Sequence, residues 1–510
     1  MAQQVLDETV QQAVKQFTAL DEKISHFSNI LGLLGWDSRT YAPKKGKPIF
    51  AKAKGTLWTE TFKLSISKEM GECLETLTKP DVYEQLDPAT RACVRERKSE
   101  YDKSKQIPSD VYNEYVVLSS NANDAWEEAR ANDDFGHFQP YLEKMIDMKK
   151  RFAEYYGYEK HPYDALLDEF EPGLTVEKLD PLFADLRKTS IDLLKRIQNS
   201  PKQPRKDIFE QTYDIEKQKE FAHFIIEKLG YDLEAGRLDE TTHPFAMGIN
   251  TGDVRITTRY EDNNPRMAIF GTIHETGHAL YEQGVNPDYE GRVIRRGASF
   301  GIHESQSRFL ENIVGRTKEF WTYFYDDIQR HFPHQLSGVS LDEFYRAVNA
   351  VEPSLIRVEA DELTYNLHIM LRYEIEKGLI AGDIEVKDLP EIWNEKMEDY
   401  LGITPPSNRL GVLQDVHWSH GGVGYFPSYS LGNLYGAQIL NKVLEDMPDF
   451  YSNIEKGEFM KIREWSRENI HQYGKLYTPG ELIKKVTGEE LNSKYLVNYL
   501  EEKFSKLYDL

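Results

Sequence analysis

Residues 271 to 284, GTIHETGHALYEQG, place two histidines one turn apart in a stretch that is patterned as a helix and stops at Gly284. The i, i+4 spacing puts the imidazoles of His274 and His278 on one face, close enough to hold one metal ion. Glu275 lies about 100° further round the helix. From there it can reach a water molecule on the metal without being a third ligand. The stretch therefore predicts a catalytic metal centre.

A zinc site of this H-E-x-x-H type needs a third protein ligand and an open position for water. Glu304, 26 residues after His278 in the segment GIHESQSRFLEN, begins a helix and completes a His₂Glu set. His303 is the competing candidate, but neighbouring helical residues diverge by about 100° and both cannot face one ion. Arg308 shares the face of Glu304, and it either orients that carboxylate or forms an ordinary ion pair within the helix.

Composition and charge restrict the partners of the chain. The 510 residues carry a net charge of −22, which disfavours nucleic acid and anionic membrane surfaces as partners. The N-terminal segment MAQQVLDETVQQAVKQF is patterned as an amphipathic helix and not as a signal peptide, and no apolar run reaches the roughly 18 residues of a membrane span. Cys73 and Cys93 provide neither a disulfide framework nor a thiolate metal site, so we expect a cytoplasmic protein.

The elements that must position these residues are mostly helices. From residue 1 to about 235 the apolar positions recur every three or four residues, between short proline-containing turns. The segment DVRITTRYE, residues 253 to 261, is the clearest strand, and we expect a short sheet beside the metal helix. The helical pattern returns after residue 300. The chain is therefore predicted to be mainly α with a small β element. It forms one unit over residues 1–510, with a mostly helical region at 1–235 and the catalytic segments at 236–510.

A competing motif lies just before the Glu304 segment. GASFG, residues 297 to 301, matches the G-x-S-x-G elbow that presents the nucleophile of serine hydrolases, here Ser299. That elbow joins a strand to a helix within a parallel sheet, and the surrounding sequence lacks the alternation of strands and helices that such a sheet needs. A serine hydrolase is therefore the remote alternative.

Several short segments also occur in a recognisable order along the chain. They are GWDSRTYAP at 35–43, HPF at 243–245, DVRIT at 253–257, HETGH at 274–278, HESQ at 303–306, IRVEAD at 356–361 and GVLQDVHW at 411–418. Their order and separations resemble those of the Taq-type thermostable metallocarboxypeptidase family. The resemblance implies a large helical zinc-peptidase fold with a deep substrate groove, one zinc ion on His274, His278 and Glu304, and usually a homodimer. It also implies that Glu275 is the general base and acid, and that peptides lose amino acids from the C-terminus with broad specificity.

The chemistry of such a site needs further donors. A metal held by two imidazoles and a carboxylate lowers the pKa of its water, and Glu275 would take the proton and pass it to the leaving amine. We expect one Zn²⁺ per chain, for which Co²⁺ can substitute. A tetrahedral oxyanion also needs a donor, which the glycine-rich segment after Asp415 can supply. The candidates are Tyr425 and His417 for the oxyanion and His420 and Tyr429 for the substrate, with simple packing as the alternative for each aromatic side chain.

An enzyme that cuts only at a chain end must bind the free carboxylate of its substrate, and a guanidinium does so with two parallel hydrogen bonds. Arg357 in IRVEAD is the first candidate and Arg255 the second. His243, ahead of the strand, either lines the groove or is a turn residue. The alternative for either arginine is a structural ion pair with Glu359, Asp361 or Asp253. A helical zinc oligoendopeptidase, which cuts inside short peptides, is the nearer alternative function because the same ligands serve it.

Overall fold

Helices dominate the computed structural model, which describes residues 7–510, as the apolar periodicity predicts. The N-terminal helix is present from Glu8, and residues 1–6 of that prediction lie outside the described residues. The helices are α1 (Glu8–Arg39), α2 (Lys47–Ser65), α3 (Lys68–Leu77), α4 (Pro80–Tyr83), α5 (Pro88–Gln106), α6 (Ser109–Asn132), α7 (Phe135–Tyr156), α8 (Pro162–Leu167), α9 (Val176–Asn199), α10 (Ile215–Lys228), α11 (Pro265–Gly284), α12 (Phe300–Arg308), α13 (Lys318–His331), α14 (Leu341–Val348), α15 (Tyr365–Ala381), α16 (Leu389–Leu401), α17 (Pro427–Asp446), α18 (Phe450–Glu455), α19 (Phe459–Asn469), α20 (Pro479–Thr487) and α21 (Lys494–Tyr508). Within the described range, no helix has both the length and the apolar character that crossing a membrane requires.

A small sheet lies beside the helix that carries the two histidines. Its strands are β1 (Gly236–Glu240), β2 (Ala246–Asn250) and β3 (Asp253–Thr258). β3 is central, parallel to β1 and antiparallel to β2, so that Ile256 is paired with Leu238 on one side and with Ala246 on the other. The strand predicted at 253–261 is confirmed, although it ends at Thr258. β3 packs directly on α11, as expected of a sheet next to the metal helix.

Most of the core lies in two clusters of buried hydrophobic side chains, and a third, small cluster consists of Val111, Met148 and Phe152. The larger cluster extends from Ala122 to Tyr508 along the chain and includes residues on both sides of position 235. The smaller cluster joins the N-terminal helices and includes Phe17, Leu74 and Ile294. The main core therefore crosses the boundary between the helical region and the catalytic segments. The single unit over the whole chain stays a prediction.

Ser299 caps the N-terminus of α12, the helix that carries Glu304. The Ser299 hydroxyl oxygen accepts a hydrogen bond from the Ile302 amide over 3.0 Å, as an N-cap residue does. A 3-10 turn at Val293–Arg295, and not a strand, comes before it. GASFG is thus the start of a helix and lacks the strand that a nucleophile elbow requires.

A buried carboxyl group holds the same end of α12. The Gly301 amide donates to Glu171 Oε2 over 3.0 Å, and the Tyr435 hydroxyl donates to Glu171 Oε1 over 2.8 Å. Burial raises the pKa of Glu171 from 4.5 to about 7, against the hydrogen bonds, which lower it. Glu171 therefore ties the first turn of α12 to α17, which carries Tyr435.

α2 differs from the other long helices because none of its residues is buried. Its Trp58 side chain is 45% exposed. Trp58 and Phe62 each stack on Tyr112 of α6, with ring centroids 6.4 Å apart and nearly parallel planes. Stacked aromatic rings, with little other buried surface, thus connect α2 to α6.

Candidate metal centre

Two glycines let three helices approach closely enough to bring the predicted ligands together. At Gly277, α11 contacts α12, and a Cβ there would lie 2.5 Å from the Gln306 carbonyl oxygen. At Gly432, α17 contacts α12, and a Cβ there would overlap Glu304 Cγ. Real Cβ contacts essentially never fall below 3.0 Å, so a side chain at either position would push the helices apart.

The side chains of His274, His278 and Glu304 converge at the meeting point of these helices. Glu304 Oε2 lies 3.6 Å from His274 Nε2 and 3.4 Å from His278 Nε2. One ligand atom from each residue fits within a span of 4.8 Å, so the three groups could hold one metal ion. Two imidazoles and a carboxylate suit zinc and leave a fourth position for water or substrate.

A carboxylate lies behind His274. The Nδ1 atom of His274 is 2.9 Å from Glu311 Oε2, so Nδ1 carries the hydrogen that bonds to that carboxylate. In the neutral imidazole the lone pair is then on Nε2, the nitrogen that faces Glu304. Glu311 belongs to a π-helical turn, Phe309–Val314, that continues α12. Sequence reasoning missed Glu311. Its spacing of seven residues from Glu304 and three from Arg308 is the signal that could have found it.

Two arginines neutralise the carboxylates of the site. Arg308 Nε donates to Glu304 Oε1 over 2.7 Å, and Arg308 Nη1 donates to Glu311 Oε2 over 3.2 Å. Arg316 Nη2 donates to Glu311 Oε1 over 2.9 Å. Burial raises the pKa of Glu304, but Arg308 and His274 outweigh it and hold that pKa well below its ordinary value. Because Arg308 takes Oε1, the other oxygen of Glu304 faces the histidines.

His303, the competing ligand candidate, contacts His278 and not the point where the three side chains converge. His303 Nδ1 is 2.6 Å from His278 Nδ1, and His303 Nε2 is 2.9 Å from Glu282 Oε1. Arg295 Nη1 donates to Glu282 Oε2 over 3.2 Å. Burial lowers the pKa of His278 to about 4, so its imidazole is neutral at neutral pH, which is the state that binds a metal.

Glu275, the predicted base, lies on α11 with only 7% of its surface exposed. Burial raises its pKa from 4.5 to about 7, although the neighbouring His274 lowers it. A carboxyl group with a pKa near the working pH exchanges protons readily, as general acid and base catalysis requires. The structure therefore gives Glu275 the environment that its predicted role needs.

The predicted oxyanion donors lie in a cluster of rings near Glu304. His417 belongs to a 3-10 turn at Val416–His420, and its ring stacks on Tyr425 with centroids 5.7 Å apart. Tyr429 lies in the first turn of α17, and its ring centroid is 5.1 Å from that of Tyr425. Burial raises the pKa values of both tyrosines, with a further contribution from Glu304, and lowers the pKa of His417 to about 3. The phenols thus stay protonated and the imidazole stays neutral.

Tyr365, at the start of α15, joins this cluster and was missed by sequence reasoning. The Arg308 guanidinium lies over its ring, 4.3 Å from the centroid, and its hydroxyl accepts a hydrogen bond from Arg357 Nη1 over 3.2 Å. Its ring centroid is 6.2 Å from that of Tyr429. Tyr365 therefore connects the arginine that holds Glu304 with the arginine expected to bind substrate. No local spacing in the sequence indicates this contact, because the fold alone brings α12 and α15 together.

Arg357 does not present the free guanidinium that the sequence suggests. Its Nε and Nη2 atoms donate to the two carboxylate oxygens of Asp415 over 3.1 and 2.8 Å, and its side chain is 7% exposed. The ion-pair partner is thus Asp415, 58 residues away, and not Glu359 or Asp361. Of the guanidinium nitrogens, Nη1 lies outside this pair, and it contacts Tyr365.

The remaining substrate-binding candidates lie at more exposed positions. Arg255 pairs with Asp253 over 2.7 and 2.8 Å, one of the alternatives considered from the sequence, and its side chain is 19% exposed. His243 precedes β2 and is exposed, and His420 is exposed at the end of its 3-10 turn. These side chains are accessible to a ligand.

A model of the Carboxypeptidase Taq (M32) metallopeptidase family matches residues 16–504 of the chain. Carboxypeptidase 1 of Bacillus subtilis is 50% identical over 494 residues, covering 97% of this chain and 98% of the relative. Thermostable carboxypeptidase 1 of Thermus thermophilus is 42% identical over 513 residues, covering 98% of this chain and 100% of the relative.

Solved structures agree with the sequence relationship. The M32 carboxypeptidase from Deinococcus radiodurans R1 is 36% identical with a TM-score of 0.94, covering 98% of this chain and 100% of that one. The Pyrococcus furiosus carboxypeptidase is 38% identical with a TM-score of 0.93, covering 98% of this chain and 99% of that one. The mainly helical fold with its small sheet is therefore shared. The chain belongs to the Carboxypeptidase Taq (M32) metallopeptidase family and is a metallocarboxypeptidase.

Proposed function

We propose that this metallocarboxypeptidase holds one Zn²⁺ through His274 Nε2, His278 Nε2 and Glu304 Oε2, and that Co²⁺ can substitute. The convergence of these atoms carries the proposal, since Glu304 Oε2 lies 3.6 and 3.4 Å from the two imidazole nitrogens. Glu311 supports it, because a carboxylate bonded to Nδ1 selects the neutral tautomer of His274 whose lone pair is on Nε2. When bound, the metal polarises the scissile carbonyl and lowers the pKa of an attacking water.

Glu275 is the general base and acid of the proposed reaction. It lies next to a proposed ligand, is buried, and has a pKa raised to about 7 by that burial. Its carboxylate takes a proton from the attacking water and later delivers it to the amine of the departing amino acid. Burial also keeps bulk water away from the transfer, so the proton stays within the site.

Tyr425 and His417 are the proposed donors to the oxyanion. Burial keeps the Tyr425 phenol protonated and the His417 imidazole neutral, so each retains a hydrogen that it can donate at neutral pH. Their rings stack, which limits the orientations of both. Donors held in place before reaction stabilise a developing negative charge most effectively. Tyr429 and His420, on either side of this pair, contact the substrate in the proposal.

Recognition of the terminal carboxylate is assigned to Arg357, with Arg255 as the second candidate and His243 as a groove residue. Because Asp415 takes two nitrogens of Arg357, a substrate carboxylate would approach Nη1 and the Tyr365 hydroxyl. Binding the carboxylate there places the last peptide bond for attack, so that broad-specificity cleavage releases one amino acid at a time.

The ligand set is tested with two single substitutions of neighbouring carboxylates. Glu304→Ala removes a proposed ligand, so the purified variant should lose both zinc and activity. Glu275→Gln alters a carboxyl group of the same site that is not a proposed ligand, so it should retain zinc. Metal analysis of both proteins, with circular dichroism as the control for folding, decides the assignment. Stoichiometric zinc in a folded Glu304→Ala protein would contradict it.

The direction of cutting is tested with one N-acetylated peptide, prepared as the free acid and as the C-terminal amide. The free acid should shorten one residue at a time from its C-terminus in a mass-spectrometric time course. The amide should resist cleavage, because amidation removes the negative charge that the guanidinium binds. The lost binding free energy is roughly 2 to 4 kcal/mol for a desolvated pair. Equal cleavage of both peptides at an internal bond would instead support the oligoendopeptidase alternative.

We infer that the enzyme is a homodimer, as the resemblance noted from the sequence implies, and that it works in the cytoplasm. Cys73 and Cys93 are both buried and free, which fits a reducing compartment. Light scattering on a gel-filtration column measures the mass of the particle, and twice the 59.3 kDa chain mass is expected. A single-chain mass at micromolar concentration would contradict the dimer.

A further inference from the structure

His303 bridges two residues of a neighbouring helix. His278 and Glu282 lie one turn apart on α11, and His303 of α12 reaches both, with its Nδ1 2.6 Å from His278 Nδ1 and its Nε2 2.9 Å from Glu282 Oε1. Arg295, 4% exposed, holds the second oxygen of Glu282 over 3.2 Å. The four side chains therefore form one continuous chain of polar contacts.

The hydrogen-bonding capacity of each group determines where the protons lie. An ionised carboxylate only accepts, so Glu282 requires a proton on His303 Nε2. The neutral form of His303 then has an unprotonated Nδ1, which accepts a hydrogen bond from the Nδ1–H group of His278. The lone pair of His278 is left on Nε2, the nitrogen 3.4 Å from Glu304 Oε2. Arg295 and His303 together favour the ionised form of Glu282.

The His303 ring has little freedom to turn. Gly297 lies against it so closely that a Cβ at that glycine would be 2.7 Å from His303 Cδ2. On its other sides the ring stacks on His278 and Tyr281, with centroid separations of 4.6 and 5.3 Å. The orientation of the imidazole is thus set by its packing, and its two nitrogens stay directed at Glu282 and His278.

We propose that His303, held by Glu282 and Arg295, is a positioning residue that keeps the proton of His278 on Nδ1 and so presents Nε2 to the metal. The proposal rests on the ligand set proposed above. It also distinguishes the two histidine ligands, because Nδ1 of His274 contacts the carboxylate of Glu311 whereas Nδ1 of His278 contacts the imidazole of His303.

Three substitutions at one position separate this role from packing. His303→Asn keeps an acceptor oxygen near the position of Nδ1, His303→Gln moves its amide towards Glu282 and leaves His278 without an acceptor, and His303→Phe fills the space with neither. Zinc dissociation constants are measured by competition with a chromogenic chelator, together with melting curves. The Phe and Gln variants should bind zinc roughly 10 to 100-fold more weakly, as lost outer-sphere partners do. The Asn variant should bind zinc more tightly than the Phe and Gln variants, although its smaller side chain fills the space of the imidazole least well.

The alternatives give different patterns. If His303 served packing alone, the Phe variant would bind zinc most tightly of the three, and that result would overturn the proposal. Zinc affinities equal to that of the parent in all three variants would also overturn it. His278→Ala is the control for the ligand set, and zinc retained there would refute the ligand set and this proposal together. Loss of zinc in His278→Ala with parental affinity in His303→Phe would refute only the role of His303. Should the variants at 303 not fold, Glu282→Gln decides the question, and unchanged zinc affinity in it would overturn the proposal.

Discussion

Gly277 of α11 lies so close to Gln306 of α12 that a single added carbon would be 2.5 Å from the Gln306 carbonyl oxygen. This contact joins the two helices that carry the proposed metal ligands. His274 and His278 lie on either side of Gly277 in α11, and Glu304 lies on α12. The atom that would be struck belongs to the backbone, which cannot rotate away as a side chain could. The short distance between α11 and α12 therefore depends on the absence of a side chain at position 277.

Gly277→Ala should weaken zinc binding and lower the melting temperature, because the methyl group forces α11 away from α12. Overpacking of this kind costs roughly 1 to 3 kcal/mol of folding free energy. The matched control is Gly271→Ala on the same helix, where a Cβ would meet its nearest atoms at 3.9 Å. That substitution should stabilise the helix by about 0.5 to 1 kcal/mol. Equal zinc affinities in the two variants would contradict the role of the close contact.

Glu275→Gln should keep the fold and the metal while kcat falls by roughly 10² to 10⁴-fold, because an amide cannot accept the proton of the attacking water. The parent enzyme should also lose activity as the pH falls, since the base acts only when ionised and burial raises its pKa to about 7. The positive charge of a bound metal shifts this limb to lower pH. A pH profile of kcat/KM for parent and variant checks both points. If kcat/KM of the variant fell at low pH by the same factor as that of the parent, Glu275 would not be the group that titrates.

Glu171→Gln should change the pH dependence of stability. The pKa of Glu171 rises from 4.5 when unfolded to about 7 when buried, so its contribution is fully present below pH 4.5 and is lost as the pH rises to about 7. The loss amounts to about 3 kcal/mol. The melting temperature of the variant relative to the parent should therefore increase across this range and then level off. A constant difference between the two melting curves from pH 4.5 to 8 would show that Glu171 does not titrate as stated.

Arg357→Ala should destabilise the fold by roughly 3 to 5 kcal/mol, because it leaves the buried carboxylate of Asp415 without its partner. Arg255→Ala breaks a more exposed pair with Asp253 and should cost about 1 kcal/mol or less. Urea unfolding of the two variants compares these values. In the folded Arg357 variant, the preference for a free-acid peptide over its amide should also narrow. An unchanged preference would transfer carboxylate recognition to Arg255 or to other donors.

The parts of the site that sequence reasoning anticipated are those in which the geometry is local. His274 and His278 lie one turn apart on a single helix, so the period of the helix alone puts them on one face. The richness of residues 253–261 in β-branched side chains likewise located β3, and the apolar periodicity predicted that the chain is mainly helical. A local pattern also indicated that Glu304 and Arg308 share a face, and the structure pairs them over 2.7 Å.

Contacts between distant segments were beyond the reach of this reasoning. Arg357 meets Asp415 across 58 residues, and the motif that contains each residue gives no sign of the other. Tyr365 contacts both Arg308 and Arg357 only because the fold brings the first residue of α15 to the last residue of α12. The role of Gly277 was hidden for the same reason, since a glycine within a helix carries no mark of the neighbour that requires it.

α2, whose residues are all at least partly exposed, should be the first helix to open when the protein fluctuates. Its backbone amides have few packed atoms above them, so they should exchange with deuterium long before those of the largely buried α11. A protease added at low concentration should accordingly cleave near Trp58 while the core is still folded. The chain would thus be cut within α2 while α11, α12 and α17 still pack together. Activity measured after the cut would show whether the catalytic unit needs an intact α2.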